Sequence, residues 1–320
     1  MYAQPPQLKQ AFALWSAGRS SEAILIINQL AAQNEPGALA TLAEMKWRGG
    51  VMAQDPVAAR DLYRRASDGG HPLAIARYTN LLANGVAGPR DWPTALRRLR
   101  EEAKRDPQRR DMLTLIERMK LTADGDPKAV PEGERLSEAP EAILFPRLLL
   151  PAECDYLRKA AEPGYMPSVV NDSSGRQVRD PIRTSDGSTF HWLIENPAVH
   201  AINRRLAAAS GTRFDQGEAM QILRYQPGQE YRPHLDFVRA SDNSRVLTAL
   251  IYLNEDYEGG ETFFLKTGLK VKGRKGDVLV FRSAAKDGGP DQLSEHAGLP
   301  VTSGTKYLAS RWIREKSWIP

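Results

Sequence analysis

A repeat with a period of 36 residues constrains the fold of this chain more than any other feature of the sequence. Its matching positions are alanines, a glycine, an aspartate and a large apolar residue. They are Ala38, Ala40, Gly49, Asp55, Ala59 and Tyr63 in one unit and Ala74, Ala76, Gly85, Asp91, Ala95 and Leu99 in the next. A period of this length indicates stacked helical hairpins, in which small alanines let paired helices approach closely. The first part of the chain is therefore predicted to be an all-α solenoid.

The pattern changes after a stretch from Asp124 to Pro140 that is rich in proline, glycine and acidic residues, which is typical of a domain linker. Short apolar or alternating runs follow, separated by glycine-rich turns, and they predict strands. These runs are Gln221–Tyr225, Val246–Leu253, Val278–Phe281 and Tyr307–Ile313. Helices are predicted at Pro151–Ala161, which begins with a Pro-Ala-Glu start signal, and at Pro197–Ala209.

We therefore predict a multi-domain chain. Residues 1–125 form helical repeats, residues 126–140 form a linker, and residues 141–320 form a double-stranded β-helix, or jelly roll, with flanking helices.

Cysteine content limits the chemistry, because Cys154 is the only cysteine. Intramolecular disulfides and thiolate zinc sites are excluded, so a bound metal must use nitrogen and oxygen ligands. The sequence also lacks both an apolar run of about 20 residues and the basic-then-apolar pattern of a secretory signal at its start. We expect a cytoplasmic protein without membrane contact.

The net charge of +5 lies in the first part of the chain, since residues 1–130 hold 19 Lys and Arg against 14 Asp and Glu. Seven basic residues cluster there: Arg97, Arg98, Arg100, Lys104, Arg105, Arg109 and Arg110. Such a run could meet nucleic acid or an acidic partner. Without interleaved aromatic residues, a solvated helix face is the favoured interpretation, and nucleic acid is not expected as a partner.

His234-Leu235-Asp236 is a His-x-Asp pair whose side chains point to one face of a strand, because strand side chains alternate. A second histidine would complete a facial triad of two histidines and one carboxylate, which suits non-haem iron(II) with three open positions. His296 is the best candidate, because Lys306 follows ten residues later and could pair with a dicarboxylate in the same barrel. The pair alone is a weak signal, so its context decides.

The repeat segment resembles the Sel-one-like branch of the tetratricopeptide repeats. The resemblance rests on Gly-Gly-Val at 49–51, Ala-Arg-Asp-Leu-Tyr at 59–63 and Asp-Gly-Gly-His-Pro-Leu-Ala at 68–74. It implies a short solenoid whose concave face binds another protein, with a purely stabilising helical cap as the alternative.

From about residue 140 to 318 the sequence closely resembles the prolyl 4-hydroxylase family of Fe(II)- and 2-oxoglutarate-dependent dioxygenases. The matching motifs are Arg-Thr-Ser at 183–185, Gln-Ile-Leu-Arg-Tyr at 221–225, Tyr-Arg-Pro-His-Leu-Asp at 231–236, Arg-Val-Leu-Thr at 245–248, Tyr-Leu-Asn at 252–254, Gly-Gly-Glu-Thr-Phe at 259–263, Lys-Gly-Asp at 275–277, His296 to Lys306, and Trp312. Many ordered motifs make this resemblance specific.

The resemblance implies roles for nine residues. His234, Asp236 and His296 would bind the iron, while Lys306, Tyr225 and Thr262 would bind the far carboxylate of 2-oxoglutarate. Tyr231, Arg245 and Trp312 would hold a peptide substrate at the mouth, and the polar segment Ser168–Arg179 would be a loop that closes over it.

The expected reaction hydroxylates a C–H bond of peptidyl proline and decarboxylates 2-oxoglutarate to succinate with dioxygen. Ascorbate is the expected reductant, and the repeats would recruit a protein or peptide substrate. Two alternatives stay open: hydroxylation of a free amino acid or small metabolite, and a non-catalytic adaptor. The sequence does not fix the target residue, its stereochemistry or the oligomeric state.

Overall fold

The structure is a computed structural model that describes residues 2–171, 177–178, 182–238 and 242–319. The chain divides into two compact units, one made of Met1–Leu113 with Trp192–Pro197 and one made of Thr114–His191 with Ala198–Ile319. No helix in the described ranges is long and apolar enough to span a bilayer.

Helices dominate the first 118 residues. They are α1 (Pro6–Ser16), α2 (Ser20–Ala32), α3 (Pro36–Arg48), α4 (Pro56–Asp68), α5 (Pro72–Asn84), α6 (Trp92–Ala103) and α7 (Pro107–Arg118). The predicted repeat is confirmed, because α3 and α5 begin 36 residues apart and so do α4 and α6. Consecutive helices pack together through alanines such as Ala59 and Ala95, which are fully buried.

The repeated aspartates begin equivalent helices. Asp55 accepts a hydrogen bond from the Ala58 amide and Asp91 accepts one from the Thr94 amide, which satisfies free N–H groups of the first helical turn. Gly85 ends α5 with a φ of 72°, a left-handed conformation that glycine adopts without strain.

Part of the basic run faces inward rather than solvent. The guanidinium of Arg98 donates to Ser67 and Thr79, and buried Arg109 forms an ion pair with Glu102. The run is therefore not one continuous exposed basic face.

The second unit contains α8 (Pro151–Ala161) and α9 (Pro197–Ala209), at the predicted bounds, together with sixteen strands in the described ranges. The strands are β1 (Glu134–Glu138), β2 (Glu141–Phe145), β3 (Met166–Pro167), β4 (Val170–Asn171), β5 (Gln177–Val178), β6 (Asp186–Phe190), β7 (Met220–Tyr225), β8 (Tyr231–His234), β9 (Arg245–Tyr252), β10 (Tyr257–Gly259), β11 (Thr262–Phe264), β12 (Lys270–Val271), β13 (Val278–Arg282), β14 (His296–Gly298), β15 (Val301–Gly304) and β16 (Lys306–Arg314).

Two antiparallel sheets organise this unit. The larger has the order β1-β2-β13-β9-β16-β7-β6-β3, and the smaller has the order β12-β11-β14-β8. Sequential neighbours in the chain are often not neighbours in the sheet, as in jelly rolls. Inward-facing apolar side chains from both sheets form the core, among them Leu250, Tyr252 and Phe281 on the larger sheet and Phe264 on the smaller. The predicted fold class is confirmed.

The predicted linker contains a strand. β1 lies within residues 126–140 and pairs with β2 at the edge of the larger sheet, so the sheet begins before residue 141. Its sequence, Glu-Arg-Leu-Ser-Glu, is polar because an edge strand is largely solvated, and polarity was the reason to predict a linker there.

Arg311 ties α9 and the start of β7 to β16. Its side chain is 1% exposed and donates to the carbonyls of Asn203, Phe214 and Glu218 at 3.0–3.1 Å. Gly217 is required beside it, since a Cβ at this position would lie 2.3 Å from the guanidinium carbon.

We expect Arg311→Met to lower the free energy of unfolding of this unit by about 3 kcal/mol or more, because three buried carbonyls lose their donor. Thermal unfolding followed by calorimetry measures the change. Arg282→Met is the matched control, since this exposed arginine pairs only with Glu141 on the surface and its loss should cost under about 1 kcal/mol. Equal shifts in the two variants would contradict the structural role of Arg311.

Candidate active site

The centre of the site is set by the pairing of β8 with β14, which places His296 directly opposite His234. Asp236 follows two residues after the end of β8. His234 Nε2 lies 3.7 Å from Asp236 Oδ1, and His296 Nε2 lies 3.8 Å from Asp236 Oδ2. Within the described ranges this is the only group of three histidine, cysteine or carboxylate side chains that could bind a metal ion together. The structure thus brings the three predicted ligands together.

Both imidazole rings are oriented by backbone carbonyls. Nδ1 of His234 lies 2.8 Å from the carbonyl of Arg232, and Nδ1 of His296 lies 3.0 Å from that of Ser294. A neutral ring that donates from Nδ1 to a carbonyl presents the lone pair of Nε2, which is the usual arrangement of a metal-binding histidine. Phe281 packs edge-on against the His296 ring at 4.8 Å between centroids. The donor set is therefore two imidazole nitrogens and one carboxylate.

Burial and charge fix the protonation states that a metal needs. Burial, with His296 close by, lowers the pKa of His234 to about 3, so this ring is neutral at pH 7. Burial alone would raise the pKa of Asp236, but His296, His234 and Arg245 outweigh it and lower the pKa to about 2. Neutral imidazole and ionised carboxylate suit iron(II).

A cavity adjoins the triad, and the side chains of Lys306, Tyr225 and Thr262 line it. Lys306 is 2% exposed and lies opposite Tyr225 in the β16–β7 pairing. Its Nζ donates to the Gly260 carbonyl at 2.6 Å, and no carboxylate among the described residues lies within ion-pair distance of it. Burial lowers the pKa of Lys306 to about 8. An anion in the cavity would offset this desolvation.

Thr262 is a further residue of the cavity wall. Its hydroxyl is 3.1 Å from that of Tyr252, and both groups are buried. The three residues predicted to bind 2-oxoglutarate therefore line the same cavity as the triad.

At the mouth, the ring of Tyr231 stacks on that of His234 with 3.5 Å between centroids, and Trp312 also lines the cavity. Arg245 lies over the Trp312 ring at 3.9 Å and makes a two-point ion pair with Glu218 at 2.6 and 2.8 Å. The predicted substrate residues are thus adjacent, and Arg245 supports Trp312. Half of the predicted loop Ser168–Arg179, namely residues 172–176 and 179, lies outside the described residues.

Two further residues of the mouth had no assigned role in the sequence analysis. Arg183 is 6% exposed, lines the cavity and lies 5.0 Å from the Tyr231 ring. The sequence showed that Arg183 belongs to the Arg-Thr-Ser motif at 183–185, but it did not show that this side chain lines the cavity. Glu218 binds both Arg245 and Arg314, and no motif singled it out.

Comparison with known proteins agrees with this geometry. Residues 220–314 match the model of the 2OG-Fe(II) oxygenase superfamily. The chain is 37% identical over 204 residues to prolyl 4-hydroxylase 1 of Arabidopsis thaliana, an alignment that covers 58% of this chain and 72% of that protein. The chain belongs to the prolyl 4-hydroxylase family. Prolyl 4-hydroxylase 5 of the same plant is 31% identical over 240 residues and is covered to 81%.

Among solved structures, the viral collagen prolyl hydroxylase of Paramecium Bursaria Chlorella virus-1 in its 2OG complex aligns with a TM-score of 0.42 and 29% identity, over 54% of this chain and 95% of that one. A Sel1 repeat protein from Oxalobacter formigenes aligns over 34% of this chain and 85% of its own with 20% identity and a TM-score of 0.32.

Membership of this family makes the chain a 2-oxoglutarate-dependent dioxygenase that uses iron(II) and dioxygen. It also confirms the resemblance found in the sequence and disfavours the adaptor alternative.

We expect His234→Ala to weaken binding of Mn(II), a redox-stable substitute for iron(II), by more than about 100-fold, because one of three protein ligands is lost. Calorimetric titration of the purified protein measures the affinity. His191→Ala is the matched control, since this exposed histidine lies outside the triad and its loss should leave the affinity unchanged. Unaltered Mn(II) affinity in His234→Ala would contradict the assignment.

Proposed function

We propose that this enzyme hydroxylates prolyl residues in a peptide or protein. The observation that carries the proposal is the convergence, around one cavity, of a metal-binding triad, a buried lysine and an aromatic mouth. Each component would bind one participant of the reaction: the triad binds the metal, the lysine binds the co-substrate, and the aromatic mouth binds the substrate.

In this proposal His234, Asp236 and His296 bind iron(II). The donor set fits, because each ring has Nδ1 beside a backbone carbonyl, which leaves Nε2 for the metal, and the carboxylate is ionised. When bound, iron(II) supplies activation of dioxygen coupled to decarboxylation of 2-oxoglutarate to succinate. The protein supplies the position of each reactant and excludes water from between them.

The C5 carboxylate of 2-oxoglutarate would pair with Lys306. A buried ammonium without a carboxylate partner is costly, so the cavity favours an anion at this end. The hydroxyls of Tyr225 and Thr262 line the same cavity and would donate to that carboxylate. The opposite end of the co-substrate would then lie at the triad.

The mouth supports a prolyl substrate. Tyr231 and Trp312 present aromatic rings beside the triad, and such faces suit the compact apolar ring of proline. The two similar proteins of Arabidopsis thaliana are named prolyl 4-hydroxylases, which supports a prolyl substrate. A free amino acid or small metabolite remains the competing substrate class.

The remaining assignments are proposals as well. Residues 1–125 would form a repeat domain that recruits the protein substrate, and residues 141–320 would form the oxygenase domain, whose larger sheet also includes β1 from the predicted linker at 126–140. Ascorbate would reduce iron oxidised in unproductive turnovers. The cytoplasm is the proposed location, supported by a chain whose one cysteine, Cys154, is free and buried.

We expect the purified enzyme, with iron(II), ascorbate and 2-oxoglutarate, to form succinate faster when proline-rich peptides are added. Mass spectrometry should find one added oxygen atom on a proline. Trp312→Ala should weaken peptide use about 30-fold in kcat/KM, as for a buried aromatic anchor, whereas Trp318→Ala, at an exposed position, should not. Stimulation by free proline but by no peptide would show that the substrate is a small molecule. Absence of succinate under every condition would contradict the proposal.

A second expectation concerns pH. The dicarboxylate pairs only with protonated Lys306, whose pKa is about 8 in the empty cavity and rises when the anion binds. Affinity for 2-oxoglutarate should therefore be constant below pH 8 and fall above it, by up to about tenfold per pH unit. Anaerobic calorimetry of the Mn(II)-loaded protein across this range measures the affinity.

Lys306→Arg is the control for the pH experiment, because arginine stays protonated over the whole range. Its 2-oxoglutarate affinity, whatever its absolute value, should lack the decrease above pH 8. The same decrease in both proteins would show that another group causes it.

A further inference from the structure

The two oxygens of the Asp236 carboxylate have different partners. Oδ1 lies 3.7 Å from Nε2 of His234, on the side of the triad. Oδ2 accepts a hydrogen bond of 2.6 Å from the hydroxyl of Thr248. Oδ2 also lies 3.8 Å from Nε2 of His296, so both oxygens adjoin the triad, and the hydroxyl of Thr248 engages Oδ2.

Thr248 is itself part of a chain of hydroxyl groups. Its oxygen lies 3.2 Å from that of Ser283, and both residues are 0% exposed. Because Thr248 has one hydroxyl hydrogen and gives it to the ionised Asp236, Ser283 must be the donor in the second bond. The direction is therefore Ser283 to Thr248 to Asp236, and each bond polarises the next.

This chain is anchored in the centre of the larger sheet. β9 lies between β13 and β16, where Thr248 is paired with Phe281 on one side and Trp312 on the other. The amide of Ser283 donates to the Val246 carbonyl at 2.9 Å, which fixes the end of β13 against the same strand. The donor is therefore on a rigid element, which is what control of a ligand requires.

The number of oxygens that Asp236 gives to a metal matters for the reaction. A carboxylate can bind a metal through one oxygen or through both. Three protein ligands leave three open positions in an octahedral site, and a chelating 2-oxoglutarate plus dioxygen need all three. A carboxylate that bound through both oxygens would occupy one of them.

We propose that Thr248 is a positioning residue that keeps Asp236 a one-oxygen ligand, and that Ser283 supports it in this role. The hydroxyl occupies Oδ2 and so leaves one coordination position open for the reactants. This inference rests on the proposed metal site, and it assigns to the threonine of the Arg-Val-Leu-Thr motif at 245–248 a function separate from that of Arg245.

The test uses Co(II), whose ligand-field absorption reports coordination number, on the full chain under anaerobic conditions. Thr248→Val has nearly the same shape but no donor, and Thr248→Ser retains the donor. We expect Thr248→Val to weaken Co(II) binding about 10-fold to 100-fold, as for other ligand-supporting groups. Thr248→Ser should remain within about threefold of the wild type.

The absorption spectrum separates positioning from a merely structural role. In the Thr248→Val protein with 2-oxoglutarate bound, the Co(II) spectrum should be the weaker one of six-coordinate cobalt, because the carboxylate occupies a second position. The wild type, with one position still open, should give the stronger five-coordinate spectrum. A wild-type spectrum and wild-type affinities in folded Thr248→Val would overturn the proposal.

Ser283→Ala keeps the inference testable if Thr248→Val does not fold, as judged by its melting temperature. This variant removes only the distant member of the chain and should weaken Co(II) binding about threefold. Unchanged Co(II) affinity in Ser283→Ala, together with a large loss of Co(II) affinity in Thr248→Ser, would overturn the proposed role of Thr248. Failure of the wild type to bind Co(II), or binding that survives His234→Ala, would instead refute the metal site on which the proposal rests.

Discussion

The antiparallel pairing of β8 with β14 is the constraint on which the rest of the site depends. His234 and His296 are far apart in sequence, and they meet because this pairing sets them directly opposite each other. A shift of the register by one residue would turn the histidine of one strand to the other face of the sheet. The same pairing continues through β11, which carries Thr262 in the cavity wall. This ladder of backbone hydrogen bonds thus positions both histidine ligands and one of the predicted co-substrate residues, Thr262, together.

The interior of this barrel contains an unusual amount of charge for a core. Asp236, Lys306, Arg183 and Arg314 are each less than a tenth exposed. Buried charge is stable only when it is paired or when a ligand completes it. Glu218 forms ion pairs with both Arg314 and Arg245. Asp236 would be neutralised best by a bound cation, and Lys306 by a bound anion. The buried charges of the barrel therefore predict a bound metal cation at Asp236 and a bound anion at Lys306.

Sequence patterns predicted the architecture well where periodicity is strong. The 36-residue repeat, α8, α9 and the four central strands all form as expected, because each has a buried face that the pattern displays. β1 was missed since a polar edge strand has no such face. Asp236 lies beside both histidines as predicted, but it comes just after the end of β8. Strand alternation therefore does not fully explain why Asp236 and His234 point to the same site. Thr248 could not be assigned from the sequence, because its role depends on which oxygen of Asp236 it contacts.

The most direct test of the account follows both atoms of dioxygen in one turnover. The enzyme would be supplied with isotopically heavy dioxygen, 2-oxoglutarate and a proline-containing peptide that it accepts, and both products analysed by mass spectrometry. The account predicts one heavy atom in succinate and one in the hydroxyl of a modified proline, in equal amounts. Heavy succinate without a labelled peptide would contradict peptidyl proline as the substrate, and absence of label from both products would contradict the dioxygenase reaction at this site.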